Sequence, residues 1–303
     1  MDASGFTRLL KDKALSLGFD ACGAAPAGAL LREDAYLRQW LAAGNHAGLS
    51  YLERNVEKRS DVRLLVAGAR SVFMLLLSYK PPVVQPAAVP QVACYAYGED
   101  YHDAIRRKLN VLVDTVRAHY PHAQVRGFVD SAPVFEKAWA ARAGLGWIGK
   151  NNLLVSPVFG SFVFLATLIT SVELVYDEPL KNRCGRCARC MAACPTGALE
   201  APRRLNAGKC ISYQTKEHKG DITVPTCGYI FGCDLCQLHC PWNRAAPAHT
   251  HAELMPQPEI LSYTAAGWLS LDEAQFDVIF ARSPLQRVGL NKIQENVRKF
   301  LQV

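Results

Sequence analysis

Residues 184–195, CGRCARCMAACP, and residues 233–241, CDLCQLHCP, decide how this chain is read. The first run is Cys184-x2-Cys187-x2-Cys190-x3-Cys194-Pro195. Three cysteines spaced by two residues let one tight loop wrap three corners of an iron–sulfur cube. A fourth, three residues on and followed by proline, is turned away toward a second cube. The second run, Cys233-x2-Cys236-x3-Cys240-Pro241, is one cysteine short at its front, and Cys210 or Cys227 must supply it. By this crossover logic one cluster takes Cys184, Cys187, Cys190 and Cys240. The other takes Cys194, Cys233, Cys236 and one of the two candidates. Zinc ordinarily takes paired C-x2-C with longer gaps, not two interlocked runs each closed by proline. Two [4Fe–4S] clusters are expected.

Nine of the eleven cysteines fall between Cys184 and Cys240; Cys22 and Cys94 lie outside. Such clustering fits a metal site, not a chain-wide disulfide framework. The N-terminus, MDASGFTRLLKDKALSLGFD, reads as an amphipathic helix. Phe6, Leu9, Leu10 and Leu17 are interspersed with Lys11, Asp12 and Lys13, leaving no apolar stretch before a cleavage site. A reducing, cytoplasmic location is expected, where these thiols stay available as ligands. Residues 153–172, LLVSPVFGSFVFLATLITSV, carry no charge over a length that could span a bilayer. Pro157, Gly160 and Ser161 near its start, and the β-branched and aromatic residues after them, favour two buried strands joined by a turn. No membrane segment is expected.

The chain has 303 residues, half of them apolar and a fifth charged, enough for one large or two smaller cores and too apolar for general disorder. The fold class expected is α+β, a mixed α/β domain over residues 1–178. Within it Ser71–Tyr79 (SVFMLLLSY) reads as a buried strand that ends before Pro81-Pro82. Tyr101–His119 reads as a helix with Ile105, Leu109, Leu112, Val113 and Val116 on one face and Arg106, Arg107 and Lys108 on a solvated one. A second helix is expected from near Ser131, with Pro133 in its first turn and Gly144 as its stop. Asp130 would then stand at the helix entrance, where a plain N-cap is the structural alternative to chemistry. Residues 179–245 form a ferredoxin-like cluster domain. After prolines 241, 247, 256 and 258, residues 246–303 read as a helical segment. No heptad or dimer signature appears, and a monomer is expected.

Two clusters imply electron transfer without naming the acceptor. No GxGxxG and no Walker loop appears for a dinucleotide or for phosphate chemistry. The net charge of +7 is mild. It is also concentrated: between Lys181 and Gly220 nine bases face two acids, an excess as large as that of the whole chain. Such a basic face could track RNA phosphates, although it also offsets the negative charge of the clusters. Tyr213, Tyr229, Phe231 and Trp242 are available for stacking on bases, with core packing the commoner role for each.

The stretches YGEDYH (97–102), VDSAP (129–133), AGLGWIGKNNLL (143–154), GSFVFLA (160–166), CISY (210–213) and YIFGCDLCQLHCPWN (229–243) together resemble the epoxyqueuosine reductase (QueG) family over essentially the whole chain. The resemblance implies a cobalamin-binding domain, holding cob(II)alamin, followed by a two-cluster ferredoxin-like domain. The implied activity is reduction of the epoxide of epoxyqueuosine, at the wobble position of a tRNA anticodon stem-loop, to the alkene of queuosine. The electrons would come from an unidentified low-potential donor. The resemblance makes Cys210 of CISY the missing cluster ligand, leaves Cys227 a free thiol, and makes Cys22 and Cys94 ordinary packed cysteines. It maps the family's proton donor onto Asp130. Corrin contacts map onto Arg59, Leu154, Leu165, Ser212, Asp234 and Leu235, and a tRNA contact onto Lys219. A helix N-terminus at Asp130 would favour the carboxylate, so burial against the corrin must keep it a proton donor. There are two departures. Family members commonly carry a C-terminal helical-repeat tail whereas this chain ends at Val303, making it a short form, and the stretch between CISY and CDLC is short. Two other readings compete: a corrinoid reductase of a small molecule, of reductive-dehalogenase type, and a non-catalytic electron carrier.

Overall fold

In the computed structural model, which describes residues 2–301, the run SVFMLLLS is the second strand of a four-stranded antiparallel sheet. The strands among the described residues are β1 (Ala21–Pro26), β2 (Ser71–Ser78), β3 (Gln91–Val92), β4 (Val125–Phe128), β5 (Trp147–Ile148), β6 (Leu154–Val155), β7 (Val163–Thr170), β8 (Leu199–Ala201), β9 (Arg204–Leu205) and β10 (Tyr229–Phe231). The main sheet runs β1-β2-β7-β4, with Leu76 opposite Leu165 and Ser71 opposite Thr170. Antiparallel strands commonly alternate apolar and polar because one face is wet. Here both faces are covered, so every residue of β2 is buried. Phe73, Leu75 and Leu77 enter one core, while Val72, Met74 and Leu76 enter the other. The uncharged stretch from Leu153 is β6, a turn closed by a Ser156–Gly160 bridge, and β7, as its turn residues suggested. Among the described residues no helix is long and apolar enough to cross a membrane.

Helix α1 (Ala3–Ser16) starts on Asp2, whose side chain accepts from the Gly5 N–H at 2.8 Å, and buries Phe6, Thr7, Leu10 and Ala14. After it come α2 (Leu31–Ala42) and α3 (Val56–Ser60), the latter carrying Arg59. Helix α4 (Tyr101–His119) starts on Asp100 and lays Ile105, Leu109, Leu112, Val113 and Val116 on the sheet. Lys108 departs from the expected solvated face. Its Nζ donates to the Leu17 carbonyl at 2.8 Å and pairs with Glu253 at 2.9 Å, because the end of α1 packs beside α4. Helix α5 (Glu136–Arg142) begins five residues later than the expected start at Ser131. Pro133 disfavours helical geometry at Ala132, so residues 129–133 form bends instead.

The cysteine-rich stretch holds α6 (Arg189–Ala192), the β8–β9 hairpin, α7 (Ile211–Lys216), α8 (Leu235–Leu238) and α9 (Pro241–Ala245). Its strand β10 pairs in parallel with β3, so it is laced into the larger part of the molecule. The last helices are α10 (Pro258–Ser262), α11 (Ala265–Ser270), α12 (Glu273–Ile279) and α13 (Gly289–Phe300). Trp268, Phe276, Phe280, Leu290, Ile293 and Val297 from these helices share one core with Phe6, Leu10 and Leu112. Asn296 of α13, fully buried, donates to the carbonyls of Thr215 (2.9 Å) and Ile230 (2.7 Å), fastening α7 and β10 together.

Candidate functional site

Local geometry presents the cysteines as the spacing requires. Gly185 takes a left-handed φ of 49° between Cys184 and Cys187, and the Cys187 N–H closes onto the Cys184 carbonyl at 3.0 Å. Cys190 lies in the single turn of α6; the turn ends at Cys194, before Pro195. The second run repeats the device with α8, and Pro241 opens α9 immediately after Cys240. Short helix N-termini aim backbone N–H groups at sulfur: Ser212 and Tyr213 at Cys210, Leu235 at Cys233, Trp242 and Asn243 at Cys240. Hydrogen bonds to sulfur stabilise thiolate ligands.

Electrostatic proximity sorts the eight thiols into two sets. Burial raises the Cys190 thiol, and Cys240, Cys184 and Cys187 add to it. Cys240 in turn feels Cys184 and Cys187. Burial pushes Cys233 up to about 12, with further contributions from Asp234, Cys210 and Cys194. Cys236 is raised by burial, then by Cys233 and Cys210, and only more weakly by Cys190 of the first set. The two sets are therefore adjacent. Cys184, Cys187, Cys190 and Cys240 line a cavity of about 80 Å³ together with Lys150, Arg183 and Trp242. Among the described residues no three His, Cys, Asp or Glu side chains converge closely enough to hold a single ion, as ligands about 2.3 Å from one zinc would. Cys227 is exposed, at a φ of 50°, and enters neither set. Cys94 is buried, and burial raises Cys22 to about 11, so both are poor nucleophiles.

Asp130 stands apart from any helix. Its φ is 45°, and its N–H donates to Glu136 Oε1 at 3.0 Å, which holds the bend. The carboxylate accepts from Tyr101 Oη at 2.6 Å and lies 3.9 Å from His102 Nε2; His102 Nδ1 is 2.7 Å from Asp100. The side chain is 59% exposed and caps no helix, so the expected place at a helix entrance is corrected. Tyr101 itself is stacked on Phe164 at 4.1 Å with its ring nearly parallel.

Around Asp130 gather groups that the primary structure scatters. Burial, then the Asp130 charge, pushes Glu136 up to about 8. Lys137, next to it on α5, is exposed. Lys216 is lowered by burial against Tyr95 and Phe231, whose ring centres lie 4.8 and 5.7 Å from its ammonium; it also feels Asp130 and Cys210. Lys216 is thus coupled electrostatically to both the second cysteine set and Asp130. Arg59 is lowered by burial, and its Nε has no hydrogen-bond partner although buried. Of the other sequence-derived positions, Leu154 is buried in the second core and Leu165 half-buried beside it. Ser212 and Leu235 offer backbone N–H groups to cluster cysteines. The Asp234 side chain turns inward, accepting from the Cys94 N–H at 2.6 Å and from Gln237 Nε2 at 3.1 Å. Lys219 is exposed. Tyr213, Tyr229 and Phe231 are core residues, as their commoner role suggested. Sequence reading missed Tyr101, Glu136, Lys137 and Lys216 as site residues; only Tyr101 carried a signal, within YGEDYH.

Residues 59–131 match the family model described as epoxyqueuosine reductase QueG, DUF1730, and residues 183–243 match a 4Fe-4S double cluster binding domain. A protein from Cellulophaga algicola named epoxyqueuosine reductase is 40% identical over 95% of this chain and 96% of its own length. A crystal structure of epoxyqueuosine reductase with an epoxyqueuosine-modified tRNA-Tyr stem loop superposes with a TM-score of 0.88 at 31% identity, covering 98% of this chain and 81% of that one. The Bacillus subtilis enzyme, solved with its catalytic aspartate loop swung out of the active site, gives 0.89 at 32% identity, over 98% of this chain and 81% of its own.

Proposed function

This chain belongs to the epoxyqueuosine reductase family, and on that premise we propose that it reduces the epoxide of epoxyqueuosine in a tRNA anticodon stem-loop to the alkene of queuosine. The reaction consumes two electrons and two protons and releases the epoxide oxygen as water. The observation that carries the reading is the series formed by two four-cysteine sets, Lys216 and the Asp130 pocket. Two [4Fe–4S] clusters belong to this chain through its double-cluster domain. Cys184, Cys187, Cys190 and Cys240 hold the outer one, and Cys194, Cys210, Cys233 and Cys236 the inner one.

Cobalamin, when bound, supplies the two-electron reduction at cobalt. The chain fits such a group through the buried, unpartnered Arg59 Nε and the aromatic rings of Tyr101 and Tyr95 beside Asp130. Arg59, Leu154, Leu165, Ser212 and Leu235 line the cofactor's place. Asp234 contributes through its backbone, since its carboxylate is committed to Cys94 and Gln237. Asp130 protonates the departing epoxide oxygen at its exposed carboxyl. Tyr101, locked by its stack on Phe164, orients that carboxyl, and Glu136 holds the bend that presents it. Lys219 meets the RNA backbone. Residues 1–178 do the chemistry, 179–245 conduct electrons, and 246–303 brace both. The protein works as a cytoplasmic monomer supplied by a low-potential donor.

The test is anaerobic turnover of cluster-reconstituted protein with cobalamin, reduced methyl viologen and epoxyqueuosine-containing stem-loop, followed by mass analysis of the nucleosides. Loss of one oxygen from the modified base is expected. Bound corrin and intact clusters without conversion would overturn the substrate assignment.

A further inference from the structure

The basic stretch Lys181–Gly220 does not behave as one surface. Lys209 and Arg204 are spent on Glu200, at 3.0 and 3.6 Å. Arg203 donates to the Ile148 carbonyl at 3.0 Å. Lys216 is turned inward over two aromatic rings. Five cations remain: Lys219, exposed beyond the end of α7, and, together on one loop, Lys181, Arg183, Arg186 and Arg189. The latter four are exposed, and none has an ion-pair or hydrogen-bond partner among the described residues. They punctuate the loop that carries Cys184, Cys187 and Cys190, and from Pro179 to Leu199 no carboxylate interrupts them. Lys150 caps the same loop by donating to the Gly185 carbonyl at 2.9 Å.

The two cysteine sets also differ in depth. In the outer set Cys184 and Cys187 are flanked by exposed Arg183, Gly185, Arg186 and Ala188. The inner set lies within electrostatic reach of Lys216, which also feels Asp130. Electrons that end at the Asp130 pocket therefore enter at the outer set, and the entry is ringed by unneutralised positive charge.

We propose that the loop 181–190, bearing Lys181, Arg183, Arg186 and Arg189 over the outer cysteine set, is the docking surface for an acidic one-electron carrier protein. This rests on the reductase reading above and names the partner that supplies it. The cations steer an acidic face onto the outer cluster. In each encounter the donor loses one electron and the outer cluster passes from the 2+ to the 1+ state; two encounters supply the pair that the epoxide consumes. RNA phosphates are a competing occupant. Lys219, the cation assigned to the RNA backbone above, is exposed and lies outside this loop, which leaves the loop for another partner.

Stopped-flow reduction of the oxidised clusters by a reduced acidic flavodoxin tests the assignment in reconstituted full-length protein. In the unmodified protein the rate should fall steeply with added salt. The variant combining Lys181→Glu, Arg186→Glu and Arg189→Glu should be slower by roughly tenfold or more at low salt, with little salt dependence left. Its turnover with reduced methyl viologen, and its affinity for the stem-loop, should match the unmodified protein. That arm separates this proposal from the reductase reading, because a wrong substrate abolishes conversion with either reductant. Should the triple variant lose clusters, the salt dependence of the unmodified protein and the single Arg186→Gln variant decide the matter. A flavodoxin rate insensitive to salt, or unchanged in the variant while stem-loop binding weakens, would overturn the proposal and make the loop an RNA surface.

Discussion

Asn243, two residues beyond the last cluster cysteine, is the joint between the cysteine-rich stretch and the sheet. Its buried carboxamide accepts from the Ser161 N–H at 2.5 Å and donates to Ser161 Oγ at 2.9 Å and to the Gln237 carbonyl at 2.7 Å. Gly160 makes room for it: a Cβ there would sit 2.1 Å from Asn243 Oδ1. Asn243→Ala leaves the buried Ser161 N–H unsatisfied, at about 1–3 kcal/mol, and takes one of two bonds each from Ser161 Oγ, which keeps Gln237 Oε1, and from the Gln237 carbonyl, which keeps the Cys240 N–H, at about 0.5–1.5 kcal/mol apiece. Water entering the vacated space recovers part of that, so the net loss should be about 2–4 kcal/mol. Asn243→Asp keeps the bond from the Ser161 N–H but sets a second carboxylate oxygen against the Gln237 carbonyl, so it should not rescue at neutral pH. Since Asn243 aims its own N–H at Cys240, opening of this joint releases a ligand of the outer cluster. Cluster loss to an iron chelator, followed anaerobically by absorbance, should then be about 30–10³-fold faster in Asn243→Ala. Arg244→Ala, one residue on and exposed, should leave the rate unchanged. If Asn243→Ala released iron within threefold of the unmodified protein, the joint would not hold the cluster domain in place and the reasoning would fail.

Asp130→Asn should lower turnover with reduced methyl viologen by about 10²–10⁴-fold while cluster content and corrin binding stay unchanged; full activity would remove its role as proton donor. Cys210→Ala should reconstitute with about half the iron of the unmodified protein, and Cys227→Ala with all of it; the reverse result would exchange their assignments. Arg59→Gln should weaken cobalamin binding by roughly tenfold in a spectroscopic titration, if the unpartnered Nε is there for the cofactor. Glu136 gives a pH prediction for the cofactor-free protein. Its folded pKa of about 8 lies above the ordinary 4.5, so the stability associated with its protonated form is fully present below 4.5 and is lost as pH rises through 8. The loss should be on the order of 1–2 kcal/mol after solvent screening. Glu136→Gln should flatten that slope in urea titrations between pH 5 and pH 9, and an unaltered slope would place the titration elsewhere.

Some of this was legible in the primary structure because the physics is local. Cluster ligation within each run depends on a few adjacent backbone angles, so the spacing from Cys184 to Cys194 and from Cys233 to Cys240 is its own description. The strand Ser71–Ser78 and the helix Tyr101–His119 were legible because each follows a simple apolar rule. The start of α5 was not: Pro133 looked like a first-turn residue and instead held residues 129–133 out of the helix. Lys108 looked solvated because nothing near it in the chain shows that the Leu17 carbonyl and Glu253 lie beside it.

The chain's own residue order determines that two interlocked cysteine runs exist, that they recruit polynuclear iron–sulfur chemistry, and that Asp130 lies in a stretch resembling a reductase's proton donor. Only the tertiary structure decided what surrounds these groups. Folding sets Lys216 between the Cys210 set and Asp130, puts Glu136 under the Asp130 N–H, and turns the Asp234 carboxylate inward to Cys94. It also separates the paired cations around Glu200 from the unpaired ones around Cys184. Metal ligation by a loop reads from spacing because its entropy and geometry are settled within about ten residues. A pocket's electrostatics depends on distances between residues far apart in the chain, and those exist only once the core has closed.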